Sequence, residues 1–154
     1  MKEAALYLRD ELGFNFLSDV AATDYLGWGD KGVSGYIGTA GGRDLHKPST
    51  QGYQQLPQSK PKRFSVSYHL LAVRTDGARV RLQAWVDDGE SVPSLVSVWP
   101  TADWHEREAW DLMGIRFDGH PNPTRILMDD DWEGHPLRKD YPIGGEPVRF
   151  SNAE

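Results

Sequence analysis

The 154-residue sequence predicts an α+β fold, with a small mixed or antiparallel sheet containing a central hairpin, short flanking helices and an extended irregular C-terminal tail. Three observations predict it. Two neighbouring stretches alternate apolar and polar residues across a Gly turn. Two others carry helical spacing that ends on a glycine. Glycines and prolines then break every period toward the C-terminus.

The hairpin is the strongest of these. Phe64, Val66, Tyr68, Leu70 and Ala72 alternate with Ser65, Ser67, His69 and Leu71, and Val80, Leu82, Ala84 and Val86 alternate with Arg79, Arg81, Gln83 and Trp85. Residues two apart in a strand share a face, so each stretch has one apolar side. Asp76-Gly77 supplies the positive-φ turn between them. His69 falls in the polar register, where a lone histidine is a solvated or hydrogen-bonded side chain rather than a ligand.

Ahead of the hairpin, residues 2 to 12 place Ala5, Leu8 and Leu12 on one helical face and end at Gly13, which predicts a first helix. Phe14, Phe16, Leu17 and Val20 read as a strand with imperfect alternation, running up to Thr23-Asp24. From Gly27 to Pro61, eight glycines (27, 29, 32, 35, 38, 41, 42 and 52) leave no regular period, and Pro48, Pro57 and Pro61 close the segment. Gly38-Thr39-Ala40-Gly41-Gly42 suggests a phosphate cradle. No Gly-Lys-Ser/Thr triplet or convincing helix follows, so the motif is weak.

After the hairpin, Asp103 and Glu106 have the spacing of a capping box, Trp104 to Met113 are good helix formers and Gly114 is the stop. Ile115 to Phe117 reads as a brief strand. The expected organisation is a single domain over residues 1–142 with a Gly/Pro-rich insertion at 27–61, and a short tail at 143–154.

Composition narrows the function classes. Six Trp, six Tyr and 26% charged residues describe a folded globular chain, and a net charge of −6 repels a phosphate backbone, so nucleic acid is not an expected partner. No apolar run approaches the roughly 20 residues that span a bilayer. Without cysteine the chain holds no disulfide, no thiolate nucleophile and no Cys-ligated iron–sulfur cluster.

Three constellations invite chemistry. His105, Glu108 and Asp111 share helical spacing and, with His120, could form a metal site; a zincin would need a second histidine where Ala109 stands. Glu106, Glu108 and Asp111 beside Arg107 and Arg125 could form an acid/base set. Asp129-Asp130-Asp131 resembles a calcium loop, yet the twelfth position counted from Asp129 is Asp140 instead of glutamate, and a solvated turn or docking surface explains the acids better. For the helix, ion-pair staples are favoured over catalysis, because the arginine fork binds carboxylates through two parallel hydrogen bonds. The staple or subunit-interface residues expected on this reading are Glu106, Arg107, Glu108, Asp111, His120, Arg125, Asp131, His135, Arg138, Lys139 and Asp140; none is expected to be catalytic or to bind a cofactor or metal.

The run from Trp104 to Ile115, then Gly119-His120-Pro121, Arg125-Ile126-Leu127, Asp131-Trp132 and Gly134 to Pro142, resembles the 30 kDa-type subunit family of bacterial NADH:quinone oxidoreductase, respiratory complex I. Tyr68-His69-Leu70-Leu71, Val92-Pro93-Ser94-Leu95 and Val98-Trp99-Pro100 are similar as well. The resemblance covers most of Phe64 to Pro142, and more weakly Phe14 to Asp24. It implies a small α+β subunit of the hydrophilic arm, peripheral at the cytoplasmic face of the cell membrane and reaching the membrane only through the complex. It implies no cofactor in this chain, with iron–sulfur clusters, FMN, NADH and quinone on partner subunits. The implied partners are the quinone-site subunit and neighbouring iron–sulfur subunits of that hydrophilic arm. Related subunits serve ferredoxin-driven complexes and membrane-bound hydrogenases, so the same architecture also fits another electron donor. Two further readings are a free-standing metal-dependent enzyme and a free binding module using the Gly-rich loop.

Overall fold

The computed structural model describes residues 1–28, 60–73 and 77–142. Most of the Gly/Pro-rich insertion, including its phosphate-cradle motif, Asp76 of the hairpin turn and the tail at 143–154 lie outside the described residues. The body treated below comprises Met1–Leu26 and the described residues from Lys62 onward.

The chain runs α1 (Lys2–Asp10), β1 (Phe16–Asp24), β2 (Phe64–Leu71), β3 (Arg79–Val86), β4 (Ser91–Pro93), α2 (Ala102–Met113) and β5 (Arg116–Asp118). The first three strands form an antiparallel sheet in the order β1-β2-β3, and β4 and β5 form a separate parallel pair. This is the α+β class that the sequence predicts.

In β2, Phe64, Val66, Tyr68 and Leu70 all point into the core, as their alternation requires, and pair with Val86, Ala84, Leu82 and Val80 of β3. The imperfect alternation of β1 has a structural cause. The register shifts between Leu17 and Asp19, a bulge that lets Leu17 and Val20, three residues apart, both face inward. Beyond β1 the chain stays in the ladder for one more bond, from the Tyr25 N–H to the Arg63 carbonyl at 2.8 Å.

α1 ends earlier than its periodicity suggests. Gly13 adopts φ +74 and the Phe14 N–H returns to the Leu8 carbonyl at 2.9 Å, a left-handed stop. Leu12 lies beyond the last helical turn and is 48% exposed, so only Ala5, Leu6 and Leu8 of this helix meet the core. Two long-range bonds hold α1 and the chain after it in place: Arg9 donates to the Val98 carbonyl at 3.0 Å, and Trp99 Nε1 to the Phe14 carbonyl at 3.1 Å.

α2 packs on β1 and β2 and ends, as expected, at Gly114 with φ +74. Its start differs from the expected capping box. Thr101 is the cap, with no side-chain bond to the helix, Asp103 already lies inside the first turn, and Glu106 is drawn away into the core. The brief strand falls one residue later than Ile115–Phe117. Its partner β4 was not foreseen, since three residues containing a proline carry no readable period. Among the described residues, no helix is long and apolar enough to cross a membrane.

Candidate functional site

α2 carries two carboxylates with 0% exposure, Glu106 and Asp111. Five residues advance a helix by about 140° beyond a full turn, so the two face different surroundings. Glu106 points into the sheet. Its Oε1 accepts from the Tyr68 hydroxyl at 3.0 Å and the Leu95 N–H at 2.8 Å, and its Oε2 accepts from the Ser94 hydroxyl at 2.6 Å. One side chain thereby joins α2, the central strand and the turn after β4. Burial, reinforced by the Glu106 carboxylate, pushes the Tyr68 phenol well above its ordinary range, which keeps it a donor.

Asp111 points the other way, toward the chain beyond β5. Its Oδ2 accepts from three successive backbone N–H groups, Ile126 at 3.0 Å, Leu127 at 2.8 Å and Met128 at 2.9 Å, while Oδ1 pairs with Arg125 Nη1 at 2.5 Å. Burial opposes the charge on this carboxylate. The three N–H groups and the guanidinium outweigh it and hold the pKa down at about 2. Arg125 reaches onward to the carbonyls of Trp132 at 2.7 Å and Gly134 at 3.3 Å. His135 Nδ1 lies 2.8 Å from the Asp111 carbonyl, and the Leu137 N–H donates to the Leu112 carbonyl at 2.9 Å. Residues 125–137, which have no regular structure, are thus bonded along the C-terminal half of α2.

The other residues singled out from the sequence separate into three groups. Arg107 donates to the carbonyls of Thr124 and Arg125 at 3.0 and 2.9 Å, and His120, nearly enclosed, sits with Nε2 3.2 Å from the Asp103 carbonyl while its Nδ1 accepts from the Asn122 N–H. Arg138, Lys139 and Asp140 make their bonds with Asp24, Arg63 and Asp88, at the end of the sheet far from the hairpin turn, where β1 finishes and β2 begins. Glu108 and Asp131 join neither set: Glu108 lines a groove of ≈ 240 Å³ with Ala21, Ala22 and Leu137, and Asp131 is exposed beside Asp129 and Asp130.

The far-end cluster was not foreseen from the sequence. Buried Asp24, at the end of β1, accepts from Arg63 Nε and Nη2 at 3.1 and 2.9 Å, the Leu26 N–H at 2.9 Å and the Lys139 N–H at 2.9 Å. Lys139 therefore contributes its backbone N–H to this cluster. Burial works against the Asp24 charge, but Arg63 and the two N–H groups lower its pKa nonetheless. Arg63 also pairs with Asp140 at 2.9 Å; Arg138 pairs with Asp88 and Asp140, and both guanidinium groups stack over the Phe64 ring at 4.6 and 5.3 Å. The hydrogen bond to Asp88 raises the Arg138 pKa. Arg63, Asp88 and Asp24 are far apart in sequence and share no spacing, so only the folded chain unites them.

The metal site that His105, Glu108, Asp111 and His120 could have formed is not assembled. His105 faces Asp19 at 3.7 Å, His120 faces Asp103 and Asp111 is saturated by Arg125 and backbone N–H groups. Among the described residues, no group of three or more His, Asp or Glu side chains is placed to hold an ion. The acid/base set fails for a similar reason, since Glu106 and Asp111 are closed off from solvent on opposite sides of α2.

Residues 1–147 match the family model described as the respiratory-chain NADH dehydrogenase, 30 Kd subunit. The C subunit of NADH-quinone oxidoreductase from Roseiflexus sp. is 41% identical over 97% of this chain and 68% of its own. That of Salinispora arenicola is 42% identical over 99% of this chain and 50% of its own, and that of Nocardioides sp. is 54% identical over 61% and 38%. The chain thus spans half or less of the length of some relatives it matches. A solved structure, a trypsin-resistant fragment (1-134) of Nqo5, superposes with a TM-score of 0.54 at 29% identity, covering 79% of this chain and 73% of that one. The chain belongs to the respiratory-chain NADH dehydrogenase 30 Kd subunit family.

Proposed function

We propose that this chain is a structural subunit, without a cofactor of its own, in the hydrophilic arm of an NADH:quinone oxidoreductase, docking beside the subunit that shapes the quinone site. The observation that carries the reading is the use of the charged signature. Glu106, Arg107, Asp111 and Arg125 spend their hydrogen bonds on the protein itself; the last three fix residues 124–134 to α2, and the Leu137 N–H continues the attachment at the Leu112 carbonyl. An arrangement of this kind rigidifies an irregular segment and presents its outer side, with Leu127 and Leu137 more than half exposed, to a neighbour. The redox groups, FMN and iron–sulfur clusters, then belong to partner subunits, as do NADH and quinone binding, and the chain is peripheral to the cytoplasmic face of the membrane through those partners. Relatives named for NADH-quinone oxidoreductase support the assembly.

Affinity purification of the native complex through a tag on this chain, followed by mass spectrometry, tests the reading. Co-isolation of an NADH-oxidising module with the quinone-site subunit is expected. A tagged chain recovered alone from cells that contain an active complex would defeat it.

A further inference from the structure

The three-stranded sheet has two unlike edges. β1 is bulged at Ser18, whereas β3 is eight residues of regular register from Arg79 to Val86, without a bulge, and among the described residues it pairs with β2 alone. An unbroken edge of this length exposes a row of unused N–H and C=O groups, which other chains can pair with.

Both faces of β3 indicate what fits there. On the core face, Val80, Leu82 and Ala84 are only half-buried, although the β2 residues they pair with, Leu70, Tyr68 and Val66, are fully buried. The apolar layer therefore stops one strand short of full coverage. On the opposite face, Arg79 and Arg81 are exposed, with Leu71 and His69 as cross-strand neighbours. β3 contains no acidic residue, and among the described residues neither arginine has an ion-pair partner. A shallow cavity of ≈ 550 Å³ lies over this face of the sheet, lined by both arginines, His69 and Leu71 and, across β2 on β1, by Ser18 and Asp19, whose carboxylate lies 3.7 Å from His105. In a chain of net charge −6, two unpaired arginines at alternate positions of an open edge form a local cationic row.

We propose that the outer edge of β3 is an interaction surface that accepts an extended segment of a partner protein as a fourth strand, with acidic residues alternating with apolar ones. The acidic residues lie beside Arg79 and Arg81, since charges of opposite sign on neighbouring strands stabilise the pair. The apolar residues continue the layer of Val80, Leu82 and Ala84. This contact rests on the reading of the chain as an assembly subunit and is separate from the side on which residues 124–137 lie. Failure of the peptide titration below would leave the co-purification result untouched.

The test uses the full chain and two synthetic peptides, acetyl-Val-Glu-Val-Glu-Val-amide and its lysine counterpart acetyl-Val-Lys-Val-Lys-Val-amide. Amide hydrogen exchange is followed residue by residue. With the glutamate peptide, exchange at alternate β3 amides, those not bonded to β2, is expected to slow at least tenfold, while the lysine peptide has no effect. The exposed double variant Arg79→Glu, Arg81→Glu, whose unchanged circular dichroism would confirm folding, is expected to reverse the preference and bind the lysine peptide. Four results would overturn the proposal: equal effects of both peptides, protection confined to β1 or the helices, no protection at millimolar peptide, or a concentration-dependent dimer that protects β3 without peptide.

Discussion

At the scale of single residues, Asp111 illustrates how one carboxylate can organise a segment that has no secondary structure of its own. Three consecutive N–H groups converge on Oδ2 and a guanidinium on Oδ1, so the side chain behaves as a small anion seated in a backbone nest. Replacement by asparagine retains the shape but puts an NH2 against donors and leaves Arg125 without its counter-ion. Asp111→Asn is expected to destabilise the chain by about 3–5 kcal/mol at pH 7, the usual cost of breaking a buried pair. The pH dependence follows from the direction of the shift. The folded-state pKa is depressed to about 2, so the ionised group's contribution is complete above the ordinary aspartate value near 4 and is lost as pH falls through 2. That linkage amounts to about 2 kcal/mol. Urea unfolding between pH 7 and pH 2 should show the stability gap between wild type and variant narrowing below pH 4; a gap independent of pH would refute the assignment.

At the scale of elements, the junction of α2 with the chain beyond it turns on Gly114. Its φ of +74 is the left-handed stop, and a Cβ built there would meet the His135 ring at 2.6 Å. Gly114→Ala should therefore cost about 1–2 kcal/mol from backbone conformation alone, and more from displacing His135. Adding His135→Ala to Gly114→Ala should remove the steric part, so the loss in the double variant is expected to be smaller than the sum of the two single losses, as thermal melts of all four proteins would reveal. The helix stop itself was readable from sequence, because glycine after a helical run has a local meaning. So were β2, β3 and the α+β class, which rest on period-two alternation. What could not be read depends on tertiary partners. Glu106 has the spacing of a capping residue, yet Tyr68, Ser94 and Leu95 offer it three donors in the core. Asp24 and Arg63 meet only because β1 and β2 pair. In the same way, spacing places His105, Glu108 and Asp111 on neighbouring faces of α2, but only the folded chain directs them to unrelated partners.

At the scale of the whole molecule, the insertion between β1 and β2 leaves and returns at adjacent strand ends, since Tyr25 and Arg63 are directly hydrogen-bonded. The body can then close without reference to what lies between. Replacing residues 27–61 by a four-residue Gly/Asn linker is expected to retain the far-ultraviolet circular dichroism of the sheet and helices and cooperative melting. The shorter loop closes at a lower entropic cost, by at most about 2 kcal/mol for roughly three halvings of length. Loss of cooperative melting would mean that the insertion supplies part of the core. The unlike edges of the sheet have a consequence for solubility. Strand addition that works at either edge would allow chains to add one after another into a fibre, because each new strand presents a fresh template. The bulge at Ser18 spoils the template on β1, which leaves the sheet with one usable end, so a strand recruited at β3 finishes the sheet instead of beginning a polymer.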